Sequence, residues 1–151
     1  MVLSQNDVLF EDNHLIAIHK KVGELSQGDK TGDLSMIDDL KAFLKLKYQK
    51  TGNVYVGSLH RLDRPVQGVL LFAKTSKAAE RMSKAFKENR KETPYHAIIE
   101  GKLSLNKGIV KSYLQKDRTN NLVTRHATMV PESKLAETEF SVVKETNGKT
   151  L

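Results

Sequence analysis

His60-Arg61-Leu62-Asp63-Arg64-Pro65-Val66-Gln67-Gly68-Val69-Leu70-Leu71-Phe72-Ala73-Lys74-Thr75 is the stretch on which the reading of this chain turns. A polar segment, His60 to Pro65, runs directly into a continuous apolar one, Val69 to Ala73, flanked by Gly68 and Lys74. A run of that length reads as a strand buried on both faces. Charged residues set beside such a strand sit at a sheet edge or in a cleft. His60, Arg61, Asp63 and Arg64 are therefore candidates for chemistry. The bland alternative is a turn that carries a surface ion pair.

Upstream, Val8-Leu9-Phe10 and Leu15-Ile16-Ala17-Ile18 bracket the polar Glu11-Asp12-Asn13-His14, the pattern of an N-terminal hairpin. Gly23 to Asp33 is a long polar loop with three glycines. Ser35 is placed to cap a helix, with Asp38 as its capping-box partner. Met36, Ile37, Leu40, Phe43, Leu44 and Tyr48 then recur at helical spacing up to about Lys50, with Gly52 beyond. Val54-Tyr55-Val56 is predicted as a short strand.

Downstream, Ser76 is predicted to cap a second helix, Lys77 to about Asn89, with Ala78, Met82, Ala85 and Phe86 on its apolar face. Lys77, Arg81 and Lys84 fall on a neighbouring stripe. Strands are expected at Tyr95 to Glu100, Ile109 to Leu114, Thr124 to Val130 and Thr138 to Val143. Gly148 is read as a turn and Leu151 as the first residue of a new strand. The predicted fold class is α+β, a mixed, largely antiparallel sheet with few flanking helices.

The chain has 151 residues, the length of one domain, and carries a net charge of +7. Seven basic and three acidic residues between Lys74 and Glu92 contribute +4 of that excess. A solvated helix face accounts for such a stripe as simply as a polyanion-binding surface does. Cysteine is absent, which excludes disulfide scaffolds, Cys-containing zinc sites, iron–sulfur clusters and thiol nucleophiles. The longest apolar run, Val69 to Ala73, is far short of a membrane span. Met1 to Asp7 have no basic start and no apolar signal core, so a secretory signal is not expected. The expectation is a cytoplasmic protein.

Spacing tests three chemical readings of His60 to Asp63. Leu62 separates Arg61 from Asp63, and no phosphate-cradling glycine loop lies upstream, so a kinase catalytic loop fails. His60 and Asp63 with His14 or His19 make no recognised metal-ligand spacing, so no metal is expected. No Gly-x-Ser-x-Gly surrounds Ser58 or Ser76, so a nucleophile elbow fails.

The longer string resembles the central motif of the RluA-type pseudouridine synthases, in which His-Arg-Leu-Asp precedes a glycine, an apolar strand and Ala-Lys. His19-Lys20-Lys21-Val22-Gly23 is similar to that family's Lys-Pro-x-Gly segment, with Lys21 in place of the usual proline. Lys91 to Gly101, with Tyr95 and Glu100-Gly101, is similar to its Tyr-containing strand. Ala136-Glu137-Thr138-Glu139-Phe140 is similar to its Ala-x-Thr-x-Phe/Tyr strand. The four segments occur in the family's order, from about Val8 to Val143. Gln67 departs from the small hydroxyl residue usual before the motif glycine. The family's later Gly-Arg-x-His-Gln-Ile-Arg motif would begin after Leu151. The expectation is a single catalytic domain over residues 1–151 that lacks its C-terminal part, with no preceding RNA-binding domain.

The resemblance implies an RNA-modifying isomerase that converts uridine in rRNA or tRNA to pseudouridine, with RNA as partner and no cofactor or metal. It implies Asp63 as the catalytic carboxylate. Arg61 would fill the space of a flipped-out base, and Tyr95 would stack on the uracil. His60 and Gly68 would support the loop. Arg64, Lys74, Lys77, Arg81 and Lys84 are candidate contacts to the RNA backbone. Two other readings stand beside this one: a non-catalytic RNA-binding fragment of such an enzyme, and a basic interaction domain in which His60 to Asp63 is only a turn.

Overall fold

A computed structural model describes residues 3–30, 32–88, 93–117, 119–120 and 122–151. It divides into two units, Met1–Glu92 and Thr93–Leu151.

In the first unit the expected N-terminal hairpin forms as β1 (Val8–Glu11) and β2 (Leu15–Lys20). Asp12 makes the turn. Its carboxylate accepts hydrogen bonds from the backbone N–H groups of His14 (2.7 Å) and Leu15 (2.6 Å), as short acidic side chains do where a chain reverses. Two more strands follow, β3 (Gly57–Ser58) and β4 (Gly68–Ala73). The sheet has the order β1-β2-β4-β3, and every neighbouring pair is antiparallel.

Helix α1 (Met36–Lys47) begins where Ser35 was expected to cap it. The Asp38 carboxylate reaches back to the Ser35 N–H (3.1 Å) and hydroxyl (2.6 Å). Met36, Leu40 and Leu44 are buried with Ile16, Ile18, Leu70 and Phe72. In a pleated strand alternate residues share a face, so Ile16, Ile18 and their partners Phe72 and Leu70 form the α1 side of the sheet. Helix α2 (Ser76–Lys87) packs on the opposite side, against β3 and β4. Gly57 permits that approach: a Cβ there would lie 3.2 Å from the Ala79 Cβ and 2.9 Å from the Tyr55 hydroxyl.

Three local expectations change. Val54 to Val56 is not a strand; the ladder begins at Gly57. Val54 and Val56 instead pack side chains against the core without backbone pairing. β4 is not buried along both faces: Leu70, Phe72 and Ala73 are buried, but Val69 is exposed. The cap of α2 is Thr75 rather than Ser76, with its hydroxyl accepting from the Ala78 N–H (3.2 Å). The expected end of that helix at Asn89 lies outside the described residues, as do Arg90, Lys91 and Glu92 from the basic stretch.

The second unit consists of β5 (Ile99–Glu100), β6 (Lys107–Asp117), β7 (Leu122–His126), β8 (Lys134–Ser141), β9 (Glu145–Thr146) and β10 (Lys149–Thr150). They form two antiparallel sheets, β7-β6-β8 and β5-β10-β9. Tyr95 to Ala97, expected in a strand, precede the ladder, which holds only Ile99 and Glu100 of that segment. The expected Thr124 strand starts earlier and stops at His126. Asn147 and Gly148, both at positive φ (49° and 73°), turn β9 into β10. The new strand therefore starts at Lys149, and Leu151 follows it. Among the described residues of this unit only Ser112 and Thr150 are buried.

Candidate active-site loop

The loop from His60 to Gln67 connects β3 to β4 and is fixed from beneath by three side chains. The first is Lys20, the last residue of β2. Strand alternation puts it on the same side as Ile16 and Ile18, and its side chain is fully buried. Its ammonium donates to the carbonyl oxygens of Val66 (2.6 Å), Asp63 (3.0 Å), Arg64 (3.2 Å) and Lys21 (3.3 Å). A buried cation needs such partners to offset its lost hydration. Burial pushes the Lys20 pKa below its ordinary value, and the carboxylates of Glu24 and Asp63 pull it back up.

The second is Ser26, also buried. Its hydroxyl donates to the Leu62 carbonyl (2.6 Å) and accepts from the Leu62 N–H (3.0 Å). One side chain thus satisfies both backbone groups of the residue between Arg61 and Asp63. The Leu62 side chain is buried in the core. Neighbouring residues point to opposite sides of an extended chain, so anchoring Leu62 inward turns Arg61 and Asp63 outward, and both are exposed.

The third is His60. Its Nε2 accepts the Leu71 N–H at 3.1 Å, beyond the point where β3 stops pairing with β4. The imidazole thus continues the ladder where the backbone leaves it. Accepting at Nε2 places the ring proton on Nδ1. The ring also stacks on Phe86 of α2, with centroids 5.6 Å apart. Gly68 closes the loop at φ +149°, a conformation that favours glycine, and a Cβ there would meet the Leu62 Cδ1 at 3.4 Å.

Two of the departures from the family pattern, Lys21 and Gln67, have local explanations. Lys21 stands where proline is usual, and it uses the backbone N–H that proline lacks: that N–H donates to the Glu24 carboxylate at 2.6 Å. Its ammonium pairs with Asp7 at 2.8 Å, and this contact, with Ser4, holds the Asp7 carboxyl well below the usual carboxylate range. Gln67 is exposed, so its longer side chain stays out of the packing beneath the loop.

The candidate backbone contacts divide into two groups. Arg64 is engaged within the protein. Its Nε donates to the Gly23 carbonyl (3.0 Å), the Gly23 N–H returns a bond to the Arg64 carbonyl (2.9 Å), and its guanidinium pairs with Asp33 (2.9 Å). Lys74 is engaged more deeply, with Glu11 (2.6 Å) and the Asp12 carbonyl (2.7 Å). The Glu11 carboxylate also takes hydrogen bonds from Lys47 (2.7 Å) and Tyr48 (2.6 Å). Lys74 is a structural cation here, not an open one. Lys77, Arg81 and Lys84 are exposed on α2 as expected. His60, Arg61, Asp63, Arg64 and Gly68 thus come together on one loop. Tyr95 stands in the second unit, 65% exposed, on a groove of about 440 Å³ with Leu103, Phe140, Val142 and Leu151.

Sequence reasoning left two supports out of the site. Lys20 carried a signal, an inward parity after Ile16 and Ile18. Ser26 carried none. Among the described residues no three potential ligands cluster as a metal site, and no helix is long and apolar enough to cross a membrane.

Residues 14–151 match the family model described as RNA pseudouridylate synthase. An uncharacterized RNA pseudouridine synthase of Bacillus subtilis, YhcT, is 32% identical over 91% of this chain and 44% of its own length. The ribosomal large subunit pseudouridine synthase C of Rickettsia typhi is 34% identical over 93% of this chain and 44% of its own. The tRNA pseudouridine synthase C of Haemophilus ducreyi is 40% identical over 63% of this chain and 37% of its own. The chain thus spans less than half the length of these relatives. The solved structure of human RNA pseudouridylate synthase domain containing 4 superposes with a TM-score of 0.75 at 18% identity, over 96% of this chain and 56% of that one, a likeness of fold. With the His-Arg-Leu-Asp loop, its buried supports and a family match over nearly all of its length, this chain belongs to the RNA pseudouridylate synthase family.

Proposed function

We propose that this chain carries the catalytic loop of an enzyme that isomerises uridine to pseudouridine in rRNA or tRNA, with Asp63 as the catalytic carboxylate. One observation carries the reading: Asp63 and Arg61 are turned out to solvent while the backbone between and beside them is tied to Ser26 and Lys20. A loop held in this way presents two charged groups in a fixed geometry, which is what a positioned carboxylate requires.

In the reaction the bond from ribose C1′ to N1 breaks, the uracil turns, and C1′ joins C5. The proton at C5 leaves and N1 ends bearing one, so no electrons are gained or lost. A stacked uridine must first leave the stack, at a cost of a few kcal/mol. Arg61 is the group that fills the vacated space. Asp63 supplies the negative charge that acts on the extruded nucleotide, as nucleophile or base. Tyr95 is the stacking platform proposed for the uracil. None of these steps calls for a metal or a cofactor.

RNA carrying tritium at uridine C5 tests the proposal, because forming the C1′–C5 bond expels that tritium. Release by this chain supports it. RNA binding without release identifies the non-catalytic fragment reading, and neither binding nor release overturns the RNA reading altogether.

A further inference from the structure

A second cationic feature lies away from the Asp63 loop. β4 carries Gly68 at the loop end, opposite Lys20, and Ala73 at the other end, opposite Leu15. At about 3.3 Å per residue the two ends are about 17 Å apart. At the far end, a groove of about 340 Å³ opens between the β1–β2 turn and the first turns of α2. Leu15, Ala78 and Met82 line it together with His14, Lys77 and Arg81, and its surface is mostly apolar. Lys77 and Arg81 are four residues apart on one helix, so their side chains rise side by side. Lys84 extends the same stripe by one turn.

The acidic groups at this end do not neutralise the groove. Glu11 is turned inward and holds Lys47 and Lys74. The Asp12 carboxylate is turned onto the backbone of its own hairpin. Glu80 is exposed three residues from Lys77, but it does not line the groove. Lys77 and Arg81 form no ion pair with any described residue. Two long cations are thus left available beside an apolar floor, in a concave site.

We propose that this groove is a second RNA-contact site, which takes backbone phosphates on Lys77, Arg81 and His14 while the Asp63 loop engages the target nucleotide at the other end of the sheet. The proposal rests on the RNA reading given above and adds a place to it. A strand that spans both ends of β4 is held at two points, and the far point is indifferent to sequence because phosphates are its ligands.

The test is fluorescence anisotropy with a labelled single-stranded, uridine-containing RNA 20-mer across a series of KCl concentrations. The proteins are the unsubstituted chain, the pair Lys77→Gln with Arg81→Gln, and a control pair, Lys41→Gln with Lys45→Gln, on the exposed face of α1. Both pairs remove the same charge from exposed positions. The groove pair is expected to weaken binding about tenfold at low salt and to flatten the slope of log K against log salt by about 1.4, that is about 0.7 for each lost phosphate contact. The control pair is expected to weaken binding less than twofold. Equal losses in the two pairs, or no loss in the groove pair, overturn the second site while leaving tritium release as evidence for the catalytic loop. Failure of the unsubstituted chain to bind RNA overturns both.

Discussion

The ammonium of Lys20 lies 3.0 Å from the carbonyl oxygen of Asp63, behind the residue whose carboxylate faces solvent. A buried cation and an exposed anion therefore share one stretch of backbone. The arrangement does two things. It satisfies loop carbonyls that the sheet cannot pair, and it fixes the backbone that carries the exposed Asp63 carboxylate. In the proposed reaction Lys20 is a positioning residue, acting on Asp63 through the loop.

Lys20→Met keeps the length of the side chain and removes the donor. Four carbonyls then lose a partner within a packed region. Each buried group left unpaired costs about 1–3 kcal/mol, part of which water entry recovers. The expected result is a melting temperature several degrees lower and, at a temperature where the variant remains folded, a kcat reduced at least tenfold with little change in KM for RNA. A melting curve and kcat equal to those of the unsubstituted chain would remove Lys20 from the account.

Ser26→Ala tests the same loop from its other support. It deprives the Leu62 N–H and carbonyl of their partner together. A loss of about 1–3 kcal/mol is expected in urea unfolding. Ser26→Thr, which keeps the hydroxyl, should recover more than half of it. Equal losses in both variants would show that packing volume, rather than the hydrogen bonds, is what matters at this position.

Gly68→Ala strains a backbone held at φ +149° and pushes a methyl group toward Leu62. Strain in that region costs about 1–3 kcal/mol. The loop rather than the core should yield, so amide hydrogen exchange is expected to quicken at residues 62–68 before α1 is affected. Uniform quickening through α1 would contradict the local role of Gly68.

Glu11 gives the pH prediction. Burial alone would raise its pKa, but hydrogen bonds from Lys47, Lys74 and Tyr48 outweigh burial and hold it at about 2, against an ordinary 4.5. The folded-state value is depressed, so the stabilisation is fully present above about pH 4.5 and is lost as the pH falls toward 2. The shift corresponds to about 3 kcal/mol. Urea unfolding of the chain and of Glu11→Gln between pH 6 and pH 2.5 should show the gap between them closing as the pH falls. A constant gap would mean that Glu11 is not paired as described.

The sequence was most legible where local chemistry and burial agree. The N-terminal hairpin, the Ser35 and Asp38 cap and the His60 to Asp63 loop could all be read directly. Val54 to Val56 misled because β-branched residues favour strands whether or not a partner strand is within reach. Val69 misled because an apolar run does not reveal how far a covering helix extends. Lys74 looked like an open cation, and only the fold shows that Glu11, 63 residues away in sequence, takes it. Ser26 was invisible for the same reason: a serine in a polar loop gives no hint that it lies beneath Leu62.

Tritium release from C5-labelled RNA by Asp63→Asn, measured beside the unsubstituted chain, tests the central claim most directly. Asp63 is exposed and forms no hydrogen bond or ion pair with another side chain among the described residues, so the substitution should leave the melting temperature within a degree or two. Loss of a reacting carboxylate should slow release at least about 10³-fold. A folded Asp63→Asn protein that releases tritium at the rate of the unsubstituted chain would contradict the assignment of Asp63.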